Sequence, residues 1–119
     1  MAGTFRRCEL YKESYFKRIK PYPPLKEKLR QFMEIKRNNP QQQFGSNDKP
    51  FVSKGFFFQA IPGLRHAHLT FDLSIVYKVD GNVITLYGMF THDDMGTGQP
   101  PNMRKQYSKA KQFANDTCS

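Results

Sequence analysis

A chain of 119 residues with 38% hydrophobic content is the size of one domain with one modest core, which excludes a multidomain enzyme. Nineteen Lys and Arg against ten Asp and Glu leave a net charge of +9, so the expected partner is a polyanion, most often a nucleic acid. No apolar run approaches the ~20 residues of a membrane span, and no apolar stretch follows the basic start, so neither a membrane partner nor a secretory signal is expected.

The charge is uneven. Residues 1–38 hold 11 basic and 4 acidic side chains, 39–99 hold 4 and 5, and 100–119 hold 4 and 1, so the positive excess sits at both ends. In chain order, 5–10 reads as an edge strand. Tyr11, Tyr15 and Ile19 recur every four residues, which predicts a helix over 11–20 with one apolar face. Pro21, Pro23 and Pro24 end it, since proline lacks the amide and clashes with the preceding turn. A second helix over 24–37 carries Leu25, Leu29, Phe32 and Met33 on a narrow stripe, with Lys26, Lys28, Arg30, Lys36 and Arg37 around it.

The polar stretch 38–54 reads as one long loop, a length that is uncommon and often functional. Phe56, Phe57 and Phe58 form an apolar burst. Weak alternation over 64–69 predicts a strand with His66 and His68 on one face. A run rich in β-branched residues over 73–79, the pair Asp80-Gly81 and the run 83–87 predict a β-hairpin with a two-residue turn at Asp80-Gly81. Residues 93–101 read as a loop. Asn102 could cap a basic helix over 102–115 docked by Met103, Tyr107 and Phe113; a frayed tail is the alternative. Cys8 and Cys118 read most simply as two free thiols of a cytoplasmic protein, with a bridge between the ends as the alternative.

If the three strands form a meander, His68, Asp72 and His92 converge on the rim opposite Gly81, with His92 level with Leu69. Strict alternation puts His92 on the partly buried face of Ile84 and Leu86, unless a bulge intervenes. Converging imidazoles in a basic protein suit metal-free RNA cleavage. One ring takes the proton of a ribose 2′-OH, another protonates the leaving 5′-oxygen, and a cation such as Arg65 or Lys54 steadies the phosphorane. Three histidines are also an ordinary count for such a chain. A metal site built from His66, His68, Asp72, His92, Asp93 and Asp94 lacks any recognised ligand spacing, so neither metal nor cofactor is expected.

The stretch 63–95 resembles the RelE superfamily of bacterial toxins, and its YafQ branch in particular. Arg65, Ala67 and His68, then Asp72, then Ile75, Val76, Tyr77 and Lys78, then Thr91 and His92 recur in the same order and spacing. The resemblance implies an α+β fold, a small twisted antiparallel sheet with two N-terminal helices packed on it. It places a RelE-like domain at 1–97 and a basic C-terminal extension, helix or tail, at 98–119. It also implies a cytoplasmic endoribonuclease that cuts mRNA on the ribosome, needs no metal, leaves a 2′,3′-cyclic phosphate, and pairs with an antitoxin protein. Carried over, His92 is the proton donor, His68 the base and Asp72 a pocket carboxylate. His66 stands where the branch has an acidic residue. Arg65, His66, Lys54, Lys26, Lys28 and Arg30 are the expected RNA-binding residues. The branch has an arginine where this chain has Gly88, and an aromatic residue where it has Leu73. The missing arginine favours the alternative, a non-catalytic module on this scaffold that binds RNA, the ribosome or a regulatory protein. A plain DNA-binding protein is the weakest reading, since no helix-turn-helix pattern supports it.

Overall fold

The computed structural model describes residues 2–50, 61, 63–98 and 100–119. The Phe56–Phe58 burst and Lys54 lie outside the described residues. Among those described, five strands form one sheet: β1 (Thr4–Arg7), β2 (Asp48–Pro50), β3 (Arg65–His68), β4 (Leu73–Asp80) and β5 (Val83–Thr91), in the order β1-β5-β4-β3-β2. The helices are α1 (Glu9–Ser14), continued by a π-helical turn over Tyr15–Ile19, then α2 (Pro23–Asn38), α3 (His92–Met95) and α4 (Met103–Asn115). Among the described residues no helix is long and apolar enough to cross a membrane.

The sheet is mixed rather than purely antiparallel, because the edge strand β1 runs parallel to β5. The loop expected over 38–54 contains β2, which pairs antiparallel with β3. Three residues with proline at the third carry almost no strand periodicity, so β2 is invisible in the sequence. The loop expected over 93–101 begins with α3, held by a capping box in which Thr91 and Asp94 satisfy each other's backbone N–H groups.

Side chains alternate across the sheet and build two cores. On one face Tyr11, Ile19, Leu29 and Phe32 of the N-terminal helices cover Ala67, Ile75, Tyr77, Ile84, Leu86 and Met89. On the other, Met95, Ala110 and Phe113 cover Val76, Tyr87 and Phe90. The second layer is the C-terminal segment. Asn102 caps α4 by accepting from the Lys105 N–H, as the sequence suggests. Of the expected docking residues Phe113 is buried, but its companions are Gln106 and Ala110, whereas Met103 and Tyr107 stay exposed. Phe113 lies 4.9 Å from the Tyr87 ring and 5.6 Å from Phe90.

The two cysteines are not free thiols. Cys8 and Cys118 are joined by a disulfide, and Arg7 and Ser119 exchange two backbone hydrogen bonds beside it. The ends of the chain are therefore neighbours in space, which sequence distance conceals.

Asp48 is the electrostatic centre of the helical side. It is fully buried. Its carboxylate accepts from Lys36 Nζ at 2.7 Å, from the Phe44 N–H at 2.8 Å and from the Tyr77 hydroxyl, and Arg65 stands 3.4 Å away. Burial alone would raise its pKa, but the bonds from Lys36, Tyr77 and Phe44 outweigh this and hold the carboxyl below its usual range. Removing one partner of a buried pair strands the other charge. Asp48→Asn should therefore lower unfolding free energy by about 3–5 kcal/mol, read by urea titration. Because the folded pKa is depressed, this stabilisation is complete above the unfolded value of about 3.9 and is lost as pH falls through the lower folded value. The wild type should show that acid loss and the variant should lack it.

The disulfide spans 110 positions of sequence, so opening it restores much chain entropy to the unfolded state. Reduction, or Cys118→Ser, should cost about 4–5 kcal/mol and lower the thermal midpoint by roughly 10–20 °C in a calorimetric scan.

Candidate active site

The hairpin register decides where the histidines meet. Asp80 pairs with Val83, so the two-residue turn is Gly81-Asn82, one position later than expected. Gly81 has φ 62°, which the turn requires and glycine accommodates. The register then shifts between Val76 and Tyr77: Tyr77 faces Leu86, but Val76 faces Gly88, leaving Tyr87 as an extra residue. The later turn moves His92 two positions along β4 and the bulge one more, so it comes level with Asp72 rather than Leu69. The bulge also exchanges faces. Ile84 and Leu86 point to the helical core, yet beyond the bulge Met89 points there and Phe90 points away. His92, two residues on, emerges beside Phe90 on the second face.

His66 and His68 share that second face, since the intervening Ala67 is buried in the helical core. The rings form a row: His66 to His68 is 5.6 Å between centroids, and His68 to His92 is 5.7 Å. His66, Ser74, Phe90, Thr91, His92 and Thr97 line a cleft of about 210 Å³. The helix α4 does not close it, for the His92 side chain remains 46% exposed.

Local bonds set the imidazoles. Asp72 Oδ1 takes the His92 backbone N–H at 3.0 Å and lies 2.7 Å from its Nδ1. These bonds hold the Asp72 carboxyl below its usual pKa. An ionised carboxylate only accepts, so Nδ1 carries a proton and Nε2 is left for chemistry. His68 Nδ1 lies 3.2 Å from the Thr70 carbonyl, also a pure acceptor, which leaves its Nε2 lone pair available. Burial, then the neighbouring His68, push the His66 pKa down and favour the neutral ring.

Not every expected residue joins the row. Arg65 lies on the opposite face, where its guanidinium donates to the Tyr77 hydroxyl at 3.2 Å and to the Asp48 carbonyl at 3.1 Å, so it is not the cation of the cleft. Lys26, Lys28 and Arg30 sit on α2, behind the helical core, and Arg30 is spent on Glu27 and Glu34. Sequence reading missed two exposed residues, one on the cleft face and one in the adjoining turn. Lys49 is paired directly with His66 across β2 and β3. Phe71 stands 94% exposed in the turn between His68 and Asp72. The signal for Phe71 was its place in a polar turn; Lys49 had none without β2.

No protein-family model and no curated protein sequence matches the chain. Solved structures do. A chain of the Escherichia coli DinJ–YafQ toxin–antitoxin complex superposes with a TM-score of 0.58 at 21% identity, covering 78% of this chain and 96% of that one. YafQ from E. coli strain BL21(DE3) gives 0.56 at 20% identity over 76% and 94%. A copper-bound mutant toxin from Helicobacter pylori gives 0.54 at 18% identity over 80% and 99%. The α+β fold implied by the sequence resemblance is thus the fold of toxin–antitoxin toxins.

Gly88 explains the absent arginine. Its φ is 152°, and a Cβ there would meet the Phe90 ring at 2.6 Å and Ser14 Oγ at 3.1 Å. Beyond the end of β1, Ser14 Oγ accepts the Met89 N–H at 3.0 Å and Arg18 donates to the Met89 carbonyl at 3.2 Å. The strand edge that a longer side chain would cross is closed. Gly88→Arg should therefore lower the thermal midpoint rather than restore an anion site, and Gly88→Ala should lower it less; differential scanning fluorimetry reads both.

Proposed function

We propose that the chain is a metal-independent endoribonuclease of the toxin type, cleaving mRNA. The observation that carries this reading is the row of His66, His68 and His92, whose outer two rings line an open cleft, with Asp72 orienting His92. A ribose 2′-OH attacks its own 3′-phosphate, His68 Nε2 takes the hydroxyl proton, and His92, acting as the imidazolium whose Nδ1–H is held by Asp72, delivers its Nε2 proton to the departing 5′-oxygen. The products are a 2′,3′-cyclic phosphate and a 5′-hydroxyl. Phe71 offers an exposed ring on which a base adjacent to the cut can stack. The fold likeness supports one further part of the reading, a neutralising antitoxin protein, because the E. coli neighbour was crystallised as a toxin–antitoxin complex. A ribosome-bound substrate is proposed with it from the sequence resemblance and the basic charge. A cytoplasmic site of action follows from that role.

The second reading, a non-catalytic module on this scaffold, draws on Gly88. Expression in a bacterium, with primer extension on translated and untranslated mRNA, separates the two. Wild type should arrest growth and leave ribosome-dependent cuts. His92→Ala and His68→Ala should each cut about 10²–10⁴ times more slowly while still binding ribosomes. Equal toxicity of wild type and both variants, without cuts, would establish the module instead.

A further inference from the structure

The cleft needs a cation, and among the described residues the fold denies it the usual ones. The Gly88 position is closed by Phe90 and Ser14. Arg65 is held by Asp48 and Tyr77 on the other face. Arg18 is bound to Asp94 and to the Met89 carbonyl. In α4, Lys105 is paired with Asp93 at 2.8 Å, and Lys109 lies over the Phe90 ring at 4.4 Å. A phosphate entering beside His66 would meet none of these as an unengaged charge.

Lys49 is different. Directly opposed residues of an antiparallel pair project to the same face. Asp48 opposes Ala67, and both face the helical core. Lys49 opposes His66, so it projects to the cleft face next to the imidazole that bounds the cleft. It is exposed, and among the described residues no carboxylate pairs with it. Its charge already acts on His66, contributing to the lowered proton affinity of that ring.

We propose that Lys49 is the phosphate-binding residue of the cleft, taking the place that Gly88 leaves vacant and holding the RNA phosphodiester beside His66 through a charge-assisted contact. The ribonuclease reading is needed only for its consequence in the reaction, where the ammonium would steady charge on the phosphorane oxygens. The binding role stands apart from turnover. The site is supplied by the short strand β2 rather than by β5, which accounts for a buried Asp48 next to an exposed Lys49: one residue fastens the strand and its neighbour faces the ligand.

The test uses the full chain and a short single-stranded oligonucleotide carrying 2′-deoxyribose at every position, which cannot be cut by 2′-OH attack. Affinity is measured from low to moderate salt for wild type, Lys49→Gln and Lys49→Arg. Each phosphate contact on a single strand contributes about 0.7 to the slope of log K against log salt. Lys49→Gln should lower that slope by about 0.7 and weaken binding by about tenfold at low salt, with an unchanged thermal midpoint. Lys49→Arg should restore both. Inorganic phosphate should move the His66 ring resonances of wild type and not those of Lys49→Gln. An unchanged slope in Lys49→Gln, or a wild type that binds neither probe, overturns the proposal. With RNA, Lys49→Gln should cut about 100-fold more slowly. A wild type that binds through Lys49 but cuts nothing sustains this inference and refutes the ribonuclease reading.

Discussion

The site exists because β5 carries one residue too many. A strand has a side-chain period of two, so an inserted residue sends every later side chain to the other face. Without Tyr87 as the extra residue, His92 would follow Ile84 and Leu86 toward the helical core, away from the face of His66 and His68. With it, Met89 fills that core instead and His92 meets Asp72. The bulge needs support on both sides. Ser14 and Arg18 bind the Met89 backbone where β1 no longer reaches, and Phe113 covers Tyr87 and Phe90. A helix near each end of the chain thus secures the same few residues of β5.

The charge distribution follows a different logic from that of the site. Much of the N-terminal excess lies on α2, which shields one face of the sheet, while the imidazoles occupy the other. Part of it is neutralised locally, as in Arg30 between Glu27 and Glu34, and exposed pairs of this kind contribute little to stability. What remains can act at long range on a large polyanion such as ribosomal RNA, but it cannot touch a phosphate in the cleft. Net charge therefore bears on the class of partner to expect and says nothing of which cation could meet a phosphate in the cleft.

Local pattern was readable and long-range pairing was not. The hairpin, the α2 stripe, the Asn102 cap and the shared face of His66 and His68 follow from spacing within a few residues. The convergence of His68, Asp72 and His92 followed from antiparallel connectivity, and it survived although the assumed register was wrong, because the turn between β3 and β4 is too short to let the rim residues separate. The strand β2 was hidden by its brevity. Arg65 was misplaced for a related reason: its parity with Ala67 turns it to the helical face, and the attraction that holds it there comes from Asp48, whose position depends on β2. The sequence favours two free thiols over the Cys8–Cys118 bridge that the structure contains, since pairing of residues so far apart requires the whole fold.

The C-terminal segment is more than an appendage to a finished domain. The second face of the sheet exposes Val76, Tyr87 and Phe90, a patch too apolar to leave in water, and Met95, Ala110 and Phe113 supply the cover. The cover is fastened at both ends, by the Gln106 amide on the Gly96 carbonyl and by the Cys8–Cys118 bond with its flanking backbone pairs. A reducing environment would open the disulfide. The backbone pairs between Arg7 and Ser119, the Glu9 bond to Thr117 and the Asp116 carboxylate on the Leu10 N–H hold the same geometry without it. Reduction therefore weakens the fastening of α4 while leaving its apolar docking intact, and the histidine row, which is built by the bulge and by Asp72, depends on that docking rather than on the sulfur bond.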